Sequence, residues 1–337
     1  MTDKLRIRNI TDLARIAGVS PGTVSRALSD SGLISLKTRD RIKALARAHD
    51  FRPNIMARNL RIQRTGAIGV LIPLGHETGQ HISDPFFITM LGLLADELTE
   101  RGYDLVLSRV IPADADWLDR FVASGRVDGL IVIGQSDQSA NLDRVAARYN
   151  PLVVWGGHSK DQVHCTVGSD NFAGGEIATA HLLASGCNRI AFFGDPRALE
   201  ITQRLEGCKS ALSKAGYLDQ LSVLPAHLVA EAADSEIAEF FNSKGARPQG
   251  IVAASDVIAM STLRVLSELG LSVPNDIRVI GYDGLALGEQ TVPRLTTVKQ
   301  DLTTGARNLV DLLLRRIAGE ETGSVVMPPE LVIRMSA

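Results

Sequence analysis

At 337 residues, with 45% hydrophobic and 22% charged residues, the chain has an ordinary globular balance and is long enough for two or three domains. The N-terminus, Met1-Thr2-Asp3-Lys4-Leu5-Arg6, alternates in charge without an apolar leader segment, and no run of eighteen apolar residues occurs, so neither secretion nor a membrane span is expected and the cytoplasm is the expected compartment. Cys165, Cys187 and Cys208 are odd in number and lack metal-ligand spacing; they read as reduced thiols, and no metal or cofactor is expected.

The formal net charge of −2 conceals an asymmetry. Residues 1–64 hold 14 Lys and Arg against five Asp and no Glu, a net of +9, whereas residues 65–337 carry a net of −11. A small basic module joined to a larger acidic one places any contact with a polyanion in the first 64 residues.

In chain order, Ile10, Leu13, Ala14 and Ala17 recur at helical spacing, and Gly18 follows as a stop. Ser20 is suited to cap a second helix, with Pro21 at its first position, where a missing N–H costs nothing. Thr23, Val24, Ala27 and Leu28 continue that helix, and a third is expected from about Thr38 to His49. Two helices separated by Gly18-Val19-Ser20 have the spacing of a helix-turn-helix. The second helix would enter the major groove with Pro21, Gly22 and Arg26 on its leading face, and with Ser20, Thr23 and Ser25 placed for phosphate or base. Arg26 is the one long, fork-shaped donor there, suited either to guanine or to a phosphate.

Pro53 ends the third helix and Asn54 can cap a new one. Residues 55–61 make under two turns, too short to be stable alone, so this segment is expected to fold on binding DNA. Leu60 and Met56 stand among cations there, which a plain linker does not explain.

Beyond Thr65-Gly66 the pattern changes to apolar runs at 67–72, 105–110, 130–133, 152–155, 190–193, 251–254 and 278–281, with amphipathic stretches between most of them. Continuous apolar strands alternating with helices indicate parallel sheet covered on both faces, in two lobes, with a ligand beyond the strands' carboxyl ends. Polar tips sit at those ends: Asp84-Pro85-Phe86-Phe87, Ser169-Asp170-Asn171, the segment containing Arg204, Ser255-Asp256, and Tyr282-Asp283-Gly284. Carboxylates, a guanidinium and a flat apolar wall suit a hydroxyl-rich molecule. Asp84, Asp170 and Asp256 each precede a helix, so a capping role stands beside a cleft role for each. Trp155, at a strand end, fits either a stacking surface or the core.

No phosphate loop, Gly-x-Ser-x-Gly elbow or zinc signature occurs, and the histidines are scattered, so an enzyme is not expected.

The run Ile10-Thr11-Asp12-Leu13-Ala14-Arg15-Ile16-Ala17-Gly18-Val19-Ser20-Pro21-Gly22-Thr23-Val24-Ser25-Arg26-Ala27-Leu28 resembles the opening of the lactose-repressor (LacI/GalR-type) family, and residues 51–60 resemble its hinge. Asp170-Asn171 with Gly174-Gly175, Arg204-Leu205-Glu206-Gly207 and Gly281-Tyr282-Asp283 extend the resemblance along the chain. It implies an all-α helix-turn-helix domain at 1–64, with a hinge helix at about 54–61, followed by an α/β two-lobed effector domain at 65–337, of the type I fold of periplasmic sugar-binding proteins, with three crossovers. The lobes are expected at about 66–165 with 296–322, and 166–295 with 323–337. The resemblance further implies a homodimer, or a tetramer, on a near-palindromic double-stranded operator, acting as a repressor under a carbohydrate effector. By it, Asn54, Ala57, Arg58 and Leu60 are DNA contacts, Leu60 being a minor-groove wedge, and Phe86, Phe87, Asp170, Arg204, Ser255 and Asp283 are effector contacts. Ser255 stands where the family usually has Asn, and Leu228 near a position often aromatic, which bears on the effector's identity.

A wedge costs a few kcal/mol of unstacking, offset by contacts in the opened minor groove. Leu60→Ala is therefore expected to reduce DNA bending, read by FRET, and to weaken specific binding, while salt-sensitive nonspecific binding persists. An unchanged bend and affinity would remove Leu60 from that role.

Overall fold

The computed structural model describes residues 9–28, 32–51, 64–75, 78–243 and 247–337. The chain divides into two units, Met1–Thr65 and Gly66–Ala337.

In the first unit, helix α1 spans Ile10–Ala17, α2 Pro21–Leu28 and α3 Leu36–Ala48. Asn9 caps α1 by accepting from the Asp12 N–H, and Gly18 closes it at φ 65°, a left-handed geometry suited to glycine. Ser20 Oγ accepts from the Thr23 N–H at the start of α2. Helix α3 begins two residues earlier than its periodicity suggests, because Ser35 caps it through the Thr38 N–H. Leu13, Ala14, Ala17, Val24, Ala27, Ile42 and Ala46 form the core, its four alanines letting three short helices approach closely around the larger Leu13 and Ile42.

The second unit contains two six-stranded sheets. Strands β1 (Ala67–Pro73), β2 (Asp104–Val110), β3 (Gly129–Ile133), β4 (Leu152–Trp155), β5 (Cys165–Ser169) and β11 (Val325–Met327) build the first, in the order β11-β5-β4-β3-β1-β2. Strands β6 (Ile190–Phe193), β7 (Leu221–Leu224), β8 (Gly250–Ala253), β9 (Arg278–Asp283), β10 (Thr296–Lys299) and β12 (Glu330–Val332) build the second, in the order β12-β10-β9-β8-β6-β7. All pairings are parallel except β10 with β12. Helices α4 (Pro85–Glu100) and α11 (Leu302–Ile317) pack one face of the first sheet, and α5 (Trp117–Ala123) and α6 (Ser139–Ala146) the other. Around the second sheet lie α7 (Asn171–Ala184), α8 (Leu199–Ala215), α9 (Ala230–Asn242) and α10 (Asp256–Glu268). No helix among the described residues is long and apolar enough to cross a membrane.

Three crossovers join the lobes, but each falls later than the sequence suggests. β5 and β11 belong to the first sheet and β10 to the second, so the switches occur at residue 170, at 300–301 and at 328–329, not at 165/166, 295/296 and 322/323. The reason lies in parallel-sheet geometry. A strand delivers the chain to the cleft only at its carboxyl end, so a crossover follows the strand that leads to it.

Backbone contact between α7 and α8 fixes the floor of the second lobe. A Cβ at Gly175 would stand 2.0 Å from the Arg204 carbonyl oxygen, and one at Gly207 2.0 Å from that of Phe172. Gly175→Ala must push α8 outward, carrying Arg204 with it. The expected cost is about 3 kcal/mol, the upper part of the range for overpacking, measured by urea unfolding; a change under about 1 kcal/mol would contradict this close contact.

Candidate functional site

The carboxyl ends of both sheets open on one cavity of about 780 Å³, including its mouth. The first lobe supplies an aromatic wall. Phe86 and Phe87, in the first turn of α4, meet edge to face at 5.7 Å, and Trp155, the last residue of β4, lies 6.5 Å from Phe86. Asp84 caps α4 through the Phe86 N–H while its other oxygen accepts from Gln80, and burial pushes its carboxyl above the ordinary value. Arg109 holds the preceding loop by donating to the carbonyls of Thr78 and Gln80.

The second lobe supplies the polar wall. Arg204 is buried on α8; its Nε donates to Asn171 Oδ1 at 2.8 Å, its Nη1 to the Ala254 carbonyl at 2.5 Å, and its plane lies 3.7 Å over the Tyr282 ring. A buried cation is tolerated only when its donors are met in this way. Asp283 ends β9 at φ 116°, a strained conformation for a residue with a side chain, and accepts from Gln300 Nε2 at 2.8 Å. Burial drives its carboxyl far above the usual range; Arg204 pulls it down, and Asp256 and Asp84 push it up. Neighbouring Asp256 is also raised by burial, and its oxygens accept from Thr297 and the Leu285 N–H, which pins the loop after β9.

Of the residues expected to touch an effector, Phe86, Phe87, Arg204, Ser255 and Asp283 line this cavity. Asp170 is not among its lining residues: its carboxylate accepts from the Ala173 N–H and caps α7, the capping alternative open to it at the sequence level. Asn171, one residue on, faces inward instead and holds Arg204. The capping alternative for Asp256 falls to its neighbour, since Ser255 Oγ accepts from the Ile258 N–H at 3.2 Å and caps α10.

Sequence reasoning passed over Gln80, Glu200 and Gln300, which also line the cavity. Glu200 accepts from the Gly157 N–H and Gln203 donates to the His158 carbonyl, so α8 bridges to the first lobe beside the cavity. Gln300 directly follows a strand that ends at the cleft, a signal visible once β10 is recognised.

In the first unit, Pro21, Gly22 and Arg26 lie exposed on one side of α2, opposite buried Val24 and Ala27, with Thr23 and Ser25 half-buried. Arg26 Nε donates to the Gly22 carbonyl at 3.2 Å, and Ser20 and Thr23 share a hydroxyl hydrogen bond at 2.9 Å. Asn54, Ala57, Arg58 and Leu60 lie outside the described residues.

A helix-turn-helix followed by a two-lobed periplasmic-binding-protein-like domain defines a DNA-binding regulator controlled by a small effector, rather than an enzyme. Residues 9–54 match the profile of the bacterial regulatory proteins, lacI family, and residues 179–337 that of the periplasmic binding protein-like domain. The sucrose operon repressor of Streptococcus mutans serotype c is 30% identical over 94% of this chain and 95% of its own length. The lac repressor dimer bound to operator and the anti-inducer ONPF superposes with a TM-score of 0.83 at 25% identity, over 98% of both chains. The transcriptional regulator CelR–cellobiose complex does so with a TM-score of 0.70 at 27% identity, over 98% of this chain and 100% of that one. The chain belongs to the lacI family of bacterial regulatory proteins.

The buried Asp283 carboxyl carries a pH signature. Its folded pKa lies above its unfolded one, so between the ordinary carboxylate value near 4 and the folded value the native state holds a proton that the unfolded state has lost. Stability must fall as pH rises through that window. Asp283→Asn, near-isosteric and uncharged, is expected to be more stable than the parent, by a margin that widens from pH 5 to pH 8. Urea midpoints that stay parallel across that range would contradict it.

Proposed function

We propose that the protein is a repressor, acting as a homodimer on a near-palindromic operator, whose effector is a sugar or sugar derivative held in the interlobe cavity. The observation that carries this reading is the division of the cavity walls. Phe86, Phe87 and Trp155 offer an apolar wall of mutually inclined rings from one side, while Arg204, Ser255, Glu200 and Asp283 offer donors and acceptors from the other. A pyranose has matching surfaces, a C–H face and a hydroxyl rim. Two of the similar proteins lend it support: one is a sucrose operon repressor and another was solved with cellobiose. On the DNA side, Arg26 is the base-reading side chain of α2, flanked by Ser20, Thr23 and Ser25 toward phosphate or base, with Pro21 and Gly22 on the same leading face. Asn54, Ala57, Arg58 and Leu60 extend the contact into the minor groove.

The test is a thermal-shift screen of carbohydrates beside nucleobases. A ligand at 100 times its Kd adds about 2.7 kcal/mol, a shift of several degrees. Arg204→Lys keeps the charge but loses the planar fork, and is expected to weaken the stabilising sugar at least tenfold while operator binding without sugar stays unchanged in a gel shift. Stabilisation by nucleobases alone would overturn the sugar reading, and an unaltered affinity in Arg204→Lys would remove Arg204 from the site.

A further inference from the structure

Helix α11 begins directly after the second crossover and carries a glycine one turn in. Asp301 caps the helix through the Thr304 N–H, and the Gly305 N–H donates to the Asp301 carbonyl, so the turn is regular. Nothing in this backbone demands glycine, and alanine would be the better helix former. The demand comes from Trp155. A Cβ at Gly305 would stand 2.3 Å from its Cζ3 and 2.9 Å from its Cη2, with the Met327 methyl at 3.3 Å. The indole therefore rests against the bare backbone of α11, and its exposed remainder, 4% of the residue, lines the cavity beside Phe86.

From this contact we infer that Gly305 is the seat of Trp155: by letting the ring sink against α11 it sets the width of the effector cavity, a specificity-determining position that touches no ligand. A side chain at 305 displaces the indole, and α11 behind it and Phe86 beside it leave the cavity as the direction of retreat. The cavity narrows on its aromatic side while the polar wall stays in place.

The seat is also wired to that polar wall. Gln300 lies five residues before Gly305 in the same crossover; its side chain donates to Asp283 Oδ1 and its backbone N–H to the Asp283 carbonyl. Residues 300–305 thus join the acid on one side of the cavity to the ring on the other. Any movement of the second crossover changes the depth of the platform together with the position of the acid. The inference rests on the effector reading for its consequence, but the seat itself is measurable without any ligand.

The sequence contains two tryptophans, so Trp117→Phe leaves Trp155 as the sole indole emitter. In that background, Gly305→Ala is expected to raise the acrylamide quenching constant of Trp155 at least twofold. In otherwise native protein, Gly305→Ala is expected to weaken sucrose or cellobiose, whichever the parent binds, at least tenfold by calorimetry. Adding Trp155→Phe removes the clashing benzo-ring atoms, so the double variant Gly305→Ala/Trp155→Phe should bind that sugar better than Gly305→Ala alone. If Gly305→Ala fails to fold, refolding in the double variant supports the seat, and failure of both overturns it. Unchanged quenching overturns the seat outright. A sugar bound equally by parent and Gly305→Ala overturns the control of width while leaving the sugar reading intact. Raised quenching in a protein that neither sugar stabilises supports the seat and counts against the sugar reading.

Discussion

One buried cation organises the second lobe. Arg204 ties the start of α7 through Asn171, the end of β8 through the Ala254 carbonyl and the end of β9 through the Tyr282 ring. It can do so because Gly175 and Gly207 let α7 and α8 touch backbone to backbone, which brings the guanidinium under the strand ends. Removing an uncharged partner from such a network leaves a desolvated charge, so its members stand or fall together. The strained Asp283 belongs to the same arrangement, held by Gln300 on one side and by the field of Arg204 on the other. Backbone strain and a carboxyl raised by burial meet at this one cleft position, and both are costs that folding alone does not require.

The two walls of the cleft differ in kind because they come from different elements. The first lobe presents residues at the start of α4 and the end of β4, where aromatic rings are braced by helix backbone. The second presents a helix side and strand ends, where polar groups are held by hydrogen bonds. A ligand bound between them closes contacts that neither lobe makes alone, which is the physical basis for a lobe arrangement sensitive to occupancy.

Much of this was legible in the sequence where local chemistry is strong. Gly18, Ser20 and Pro21 punctuate the helix-turn-helix by capping rules that need no tertiary context, and the seven apolar runs coincide with β1, β2, β3, β4, β6, β8 and β9. Strands β5, β10 and β12 mix polar with apolar residues and β11 is only three residues long, and they exist because a neighbouring strand offers a ladder; that information is not local. The misplaced crossovers follow from missing them. Asp170 and Asn171 illustrate the limit at the site. Both are polar residues at a strand end, and only the direction of the first helical turn decides that the first caps the helix while the second reaches Arg204. Trp155 is a core ring packed on α11 whose small exposed remainder borders the cavity.

The central claim is that the cleft and the helix-turn-helix are two sites of one thermodynamic system. Linkage requires that operator change the affinity for effector by the same factor by which effector changes the affinity for operator. The direct measurement is the Kd of the stabilising sugar, by calorimetry, on the free protein and on protein saturated with a DNA fragment it has itself selected from a random pool. A change of about 5- to 150-fold, matched by the reciprocal change in DNA affinity, is the result expected. Equal sugar affinities with and without DNA would contradict the account.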